Sequence, residues 1–163
     1  MEKREYIQAV LDPSLDDLKA HVRVTSDDLD GTLMQSLKAA VRSAEHHIGQ
    51  VIALSKFTYT GAFARALPLR VPVLEILAVA VDGVEVPSES FTVAGGVLTF
   101  AEDVTGAAVE VTYKAGMCPP VEFDIRAAIL LIASKLFMNP ADSVETLVSK
   151  SSILLRPYRG GGK

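Results

Sequence analysis

The chain holds one cysteine, Cys118, among its 163 residues, so no intramolecular disulfide can form, which is compatible with a reducing compartment. Excess positive charge is missing too: 16 Lys and Arg stand against 20 Asp and Glu, a formal net charge of -4. That balance argues against a protein whose main task is to grip nucleic acid electrostatically. Long apolar runs are absent. The longest, Ala127 to Ala133, falls far short of the ~20 residues that cross a bilayer. The amino terminus, MEKREYIQAVLDPSLDD, carries charges but no apolar stretch suited to a signal peptide, so a soluble protein made in the cytoplasm is expected, with no membrane partner.

Chemistry-bearing constellations are equally scarce. His46 and His47 are neighbours on an expected helix and would point about 100° apart, so they do not share a metal easily. Cys118 has no Lys, Arg or His beside it to lower its pKa, and reads as a small, partly buried structural side chain. The ending GGGK lacks the Ser or Thr and the following helix that a phosphate loop requires. Asp27, Asp28 and Asp30 lack the spaced oxygen ligands and glycine of a calcium loop. No paired carboxylates converge. The expectation is a non-enzyme with no metal and no cofactor.

What is present is well-marked secondary structure, with hydrophobic residues at 49% of the composition and charged residues at 22%. Ser14 and Asp17 have capping-box spacing and predict a short helix from Leu15 to about Arg23. Thr25 and Asp28 repeat that spacing and predict a longer helix with Asp27, Asp28 and Asp30 in its first turn. Leu29, Leu33, Leu37, Val41, Ala44 and Ile48 form its apolar stripe, and Gly49 stops it. From Lys56 to Gly116 the period falls to two. Asp82-Gly83 and Gly95-Gly96 are turn signals between alternating runs, and Val109, Val111 and Tyr113 alternate with Glu110, Thr112 and Lys114. After Pro119-Pro120, with Pro120 expected at the first helical position, Val121, Ile125, Ala128, Ile129, Ile132 and Leu136 form a core stripe ending at Asn139-Pro140. Leu130, Leu131, Ala133 and Phe137 widen that stripe beyond what one packing partner can cover.

These elements predict a single domain over residues 1–163 of α+β class, mainly α: a helical bundle with a small inserted antiparallel β-domain. Its parts are a helical hairpin at 14–50, an inserted β-region at 56–116, a core helix at 120–139 and a carboxyl-terminal arm at 143–163. The arm, with Lys150, Arg156, Arg159 and Lys163 and no acid after Glu145, either keeps the chain soluble or orders against a protein partner through Leu154, Leu155 and Tyr158.

The succession of segments resembles the head–tail connector (head-completion, or adaptor) family of long-tailed phages. The resemblance rests on LDDLKAHVRVTSDDLDGTLMQSLKAAVRSAEHHIG, PVLEILAVAVDG, VEVTYKAGMCPPVEFDIRAAILLIASKLFMNP and ILLRPYR, in that order along nearly the whole chain. Ile48-Gly49-Gln50 stands where the family often carries an aromatic residue and a Gly-Arg pair. The resemblance implies a structural virion protein at the head–tail interface, with about twelve copies closing a heterologous ring under the portal protein. It also implies docking to a stopper or tail protein, and genomic DNA passing through the channel without sequence-specific binding. Leu154, Leu155, Arg156, Tyr158 and Arg159 are then the expected portal contact. The alternative is a small phage DNA-binding or packaging-associated protein using the long helix and basic tail. A hydrolase would need a convergent acid–base pair, and the sequence offers none.

Overall fold

The computed structural model describes residues 1–7, 11–139 and 152–159. The chain divides into two compact units. One comprises the described parts of Met1–Ala9 and Ala53–Met117, the other those of Val10–Ile52 and Cys118–Lys163.

The first unit corrects the expected fold class. It contains eight strands in two antiparallel sheets, so the described chain is β-rich and not a mainly helical bundle. Strands β1 (Glu2–Tyr6), β2 (Ser55–Ala62), β4 (Val73–Val81), β5 (Val84–Glu85) and β8 (Ala108–Ala115) form a sheet of order β1-β2-β8-β4-β5. Strands β3 (Ala66–Pro68), β6 (Phe91–Ala94) and β7 (Val97–Phe100) form the second, in order β3-β7-β6. Both expected hairpins are present. Asp82 and Gly83 turn with φ of 51° and 80°, Gly95 and Gly96 with φ of 57° and 79°, the doubly positive pair that matches strand twist. Val109, Val111 and Tyr113 are buried, as their alternation predicts.

Strand β1 is the element that periodicity did not reveal. EKREY offers no apolar alternation, and it is held as an edge strand by tertiary partners. Tyr113, stacked on Phe57 with ring centroids 5.4 Å apart, donates its hydroxyl to Glu2 Oε1 at 3.0 Å. The other Glu2 oxygen accepts from Arg70 Nε at 3.0 Å. Burial and then the Glu2 carboxylate push the Tyr113 phenol up to about 12. Arg4 lies 4.2 Å from the Tyr6 ring centroid and donates to Ser55 Oγ and to the Ala53 carbonyl. Gly116, at φ 137°, closes the unit. A Cβ there would stand 2.7 Å from Leu54 Cα, so the backbone approach requires glycine.

The second unit packs α1 (Leu15–Val22), α2 (Asp30–Ile48) and α3 (Phe123–Met138) against one another. Ser14 and Asp17 form the expected capping box. The second box does not form: α2 begins at Asp30 behind Leu29, which makes no side-chain cap, and Ser26 Oγ bonds the Asp28 carboxylate instead. Of the three acids expected in the first turn only Asp30 is there. Lys19 Nζ reaches across to Asp27 at 2.6 Å and Asp30 at 2.8 Å, pairing α1 with the entry to α2. Leu33, Leu37, Val41, Ala44 and Ile48 are buried, and Gly49 ends α2 in the left-handed region.

Helix α3 starts at Phe123, later than Pro120. What fixes its start is Asp12, whose Oδ2 accepts the Val121 N–H at 2.7 Å and whose Oδ1 lies 3.5 Å from Arg126. Arg126 also pairs with Asp17, so two carboxylates of the α1 region grip the opening of α3. Leu18, Ile125, Ala128, Ile129, Ile132 and Ala133 are buried in the common core, while Leu136 is half-buried. Cys118 is exposed rather than partly buried, because it lies in the loop before α3 and not under it.

Candidate functional site

Helix α3 carries apolar residues on the side that does not face the core. From Phe123, steps of four, four, three and four residues reach Ala127, Leu131, Ser134 and Met138, which at 100° per residue fall within one face. Phe123 is 80% exposed, Leu131 41% and Met138 65%, with Leu130 and Phe137 half-buried on the flank. Ser134, the polar member, turns its hydroxyl inward and donates to the Leu131 carbonyl at 3.0 Å. The face therefore presents carbon and almost no hydrogen-bonding capacity. Helix α2 behaves in the ordinary way, with Gln35, Arg42 and His46 exposed opposite its buried stripe. A solvent-facing helix normally looks like α2, and an apolar patch like that of α3 marks a contact surface. Leu131 and Phe137 were singled out in the sequence. Phe123 and Met138 were not, although their spacing from Leu131 places them on the same stripe.

Residues 152–159 supply a second surface. Residues 152–155 are helical and Arg156–Tyr158 continue as a 3-10 turn. Within them Leu155 is fully buried, Leu154 and Tyr158 are half-buried, and Arg156 and Arg159 are exposed. The five expected partner-binding residues thus divide by role: Leu155 belongs to the core of the helical unit, and the two arginines face outward. Burial, then the negative charges of Asp124 and Glu122, raise the Tyr158 phenol above its ordinary range, which sets this segment beside the opening of α3. Arg156 and Arg159 line a cleft of about 370 Å³ together with His47, Ser152 and Ile153. No ion pair to Arg156 or Arg159 occurs among the described residues. The remainder of the expected arm, 143–151 and 160–163, lies outside the described residues.

The β-unit offers a shallower feature. Strand β4 shifts register between Val73 and Glu75 and again between Ile76 and Ala78, and the two residues thereby left out of the ladder, Leu74 and Leu77, are exposed. A groove of about 480 Å³ runs beside them, lined by Ile76, Leu77, Val86, Pro87 and Phe91 among others. Among the described residues no group of three or more His, Cys, Asp or Glu comes within metal-binding range. His21 and His46 are exposed and His47 is half-buried. No described helix is long and apolar enough to cross a membrane.

No protein-family model matches the sequence, and no curated protein matches it. Solved structures do. A chain from the neck of an empty gene transfer agent (GTA) particle, computed with C6 symmetry, superposes with a TM-score of 0.73 at 17% identity, covering 100% of this chain and 97% of that one. A chain from the virion of a native GTA particle gives a TM-score of 0.73 at 16% identity with the same coverage. One from the neck of a native GTA particle, computed with C12 symmetry, gives 0.71 at 18% identity, over 99% of this chain and 97% of that one. At these identities the likeness is one of fold, and it runs from end to end: this chain has the fold of a GTA neck chain.

Proposed function

We infer that the protein is a structural subunit of the neck of a phage-like particle, located in the virion, acting as the head–tail connector that closes a ring beneath the portal. The observation that carries this reading is the whole-length fold likeness to two chains of GTA particle necks, one computed with C6 and one with C12 symmetry. The outer face of α3 agrees with it. Its apolar stripe is too large to leave wet at no cost, and a ring of copies gives it a cover: the same chain, repeated by rotation. In this reading about twelve copies extend the channel for genomic DNA, touch the portal protein on one side and dock a stopper or tail protein on the other. A subunit of this kind works by shape and surface, with no reactant to hold.

The test is assembly. Purified protein mixed with the portal protein of the same particle should give rings by electron microscopy, and Leu131→Glu combined with Met138→Glu should abolish them while leaving the circular dichroism spectrum unchanged. Rings formed equally well by the double variant would remove α3 from the interface. A protein that assembles with no portal under any condition would overturn the reading.

A further inference from the structure

The cleft of the helical unit has a chemistry of its own. His47 comes from the last turn of α2, and Ser152, Ile153, Arg156 and Arg159 come from the carboxyl-terminal segment. We propose that this cleft is a receptor for a carboxylate side chain on an acidic peptide segment of a partner protein, with Arg156 and Arg159 as the ligating forks. The proposal rests on the connector reading for the identity of the partner, and on the cleft alone for the chemistry.

Three observations select a carboxylate on a peptide. First, Leu155 is fully buried between Ile153 and Arg156 in sequence, so the segment is anchored and its arginines are presented from a seated backbone, not from a loose end. An anchored pair of guanidinium groups loses less freedom on binding than two groups on a free tail. Second, Arg156 and Arg159 are three residues apart and line one cavity, which suits the two oxygens of one carboxylate or two neighbouring acids. Third, Ile153 is 71% exposed and lines the same cavity. A glutamate brings an apolar stem that can lie on Ile153 while its head meets the arginines; a backbone phosphate brings no such stem. The chain as a whole is acidic, at -4, and among the described residues His47, Arg156 and Arg159 are the basic side chains of the cleft, too few for a track along nucleic acid.

The probe is an acetylated, amidated hexaglutamate peptide, titrated into the full chain at low salt and followed by NMR at the Arg156 and Arg159 side chains and the His47 ring. Expected are saturable shifts at these three residues, absent with a hexaserine peptide, and affinity about tenfold weaker in Arg156→Glu combined with Arg159→Glu. Arg156→Lys with Arg159→Lys should retain part of the binding, because charge remains while the fork is lost. Binding that is unchanged in the charge-reversed variant overturns the proposal. So does a ten-nucleotide thymidine oligomer that binds the same residues more tightly than the peptide, which would make the cleft a phosphate site. Failure of the connector reading looks different: the cleft would still bind hexaglutamate while the protein formed no ring with a portal.

Discussion

Replacing Leu155 by alanine tests whether the carboxyl-terminal segment is part of the folded helical unit. The side chain is fully buried, so Leu155→Ala removes three carbons from a dry environment; at about 0.8 kcal/mol each the transfer loss is about 2.4 kcal/mol. The cavity left behind adds to this, which brings the expected loss to about 3 kcal/mol, within the range of buried Leu→Ala changes. Ile153 is the internal control, since it is largely exposed in the same segment and Ile153→Ala should cost no more than about 0.5 kcal/mol. Urea denaturation followed by far-ultraviolet circular dichroism measures both, with amide exchange on α3 reporting the helical unit by itself. Equal and small losses for the two variants would refute the reasoning, because they would mean that residues 152–159 are not seated. The expected result also carries a practical consequence. Deleting Ile153 onward would remove a core residue, so loss of partner binding by a truncated chain would not separate contact from folding. Charge reversal at Arg156 and Arg159 does separate them.

Gly116→Ala should destabilise the β-unit by about 2–4 kcal/mol, since the new Cβ meets the Leu54 backbone and φ is 137°; chemical denaturation checks it, and a cost below about 1 kcal/mol would show that the strand end relaxes freely. Burial opposes ionisation of Asp17, but hydrogen bonds from Ser14 and the Arg126 guanidinium outweigh it and hold the carboxyl below its ordinary range. Its folded value is depressed, so its contribution is fully present above the unfolded carboxylate pKa of about 3.9 and is lost as pH falls through the folded value. Asp17→Asn should therefore flatten the loss of helical-unit stability below about pH 4 in an acid titration followed by circular dichroism. A variant that keeps the wild-type slope would assign that loss to other groups. Leu131→Glu should leave stability within about 0.5 kcal/mol of wild type, because the residue already faces water, and any larger loss in a melt would place it under cover within one chain.

Helices α1 and α2, both glycine-bearing hairpins and strand β8 could be read from residues alone, because each is encoded by a local pattern: a cap, a 3.6-residue stripe, a turn that needs positive φ, or strict alternation. The surplus apolar surface of α3 was legible as well, since a helix rich in Leu, Ile, Ala and Phe has no polar side to give away. Three features were not local. Strand β1 exists because Tyr113, Arg70 and Ser55, all distant in sequence, supply partners for Glu2 and Arg4. The start of α3 follows Asp12, not Pro120, and α2 opens without its expected Thr25–Asp28 box because Ser26 bonds the Asp28 carboxylate instead. The division of the carboxyl-terminal segment into one buried leucine and two outward arginines also depends on what lies beneath it. Periodicity states which faces are apolar; only packing decides which of those faces another part of the chain has covered, and among the described residues Phe123 and Met138 of α3 and the two arginines of the cleft stay exposed.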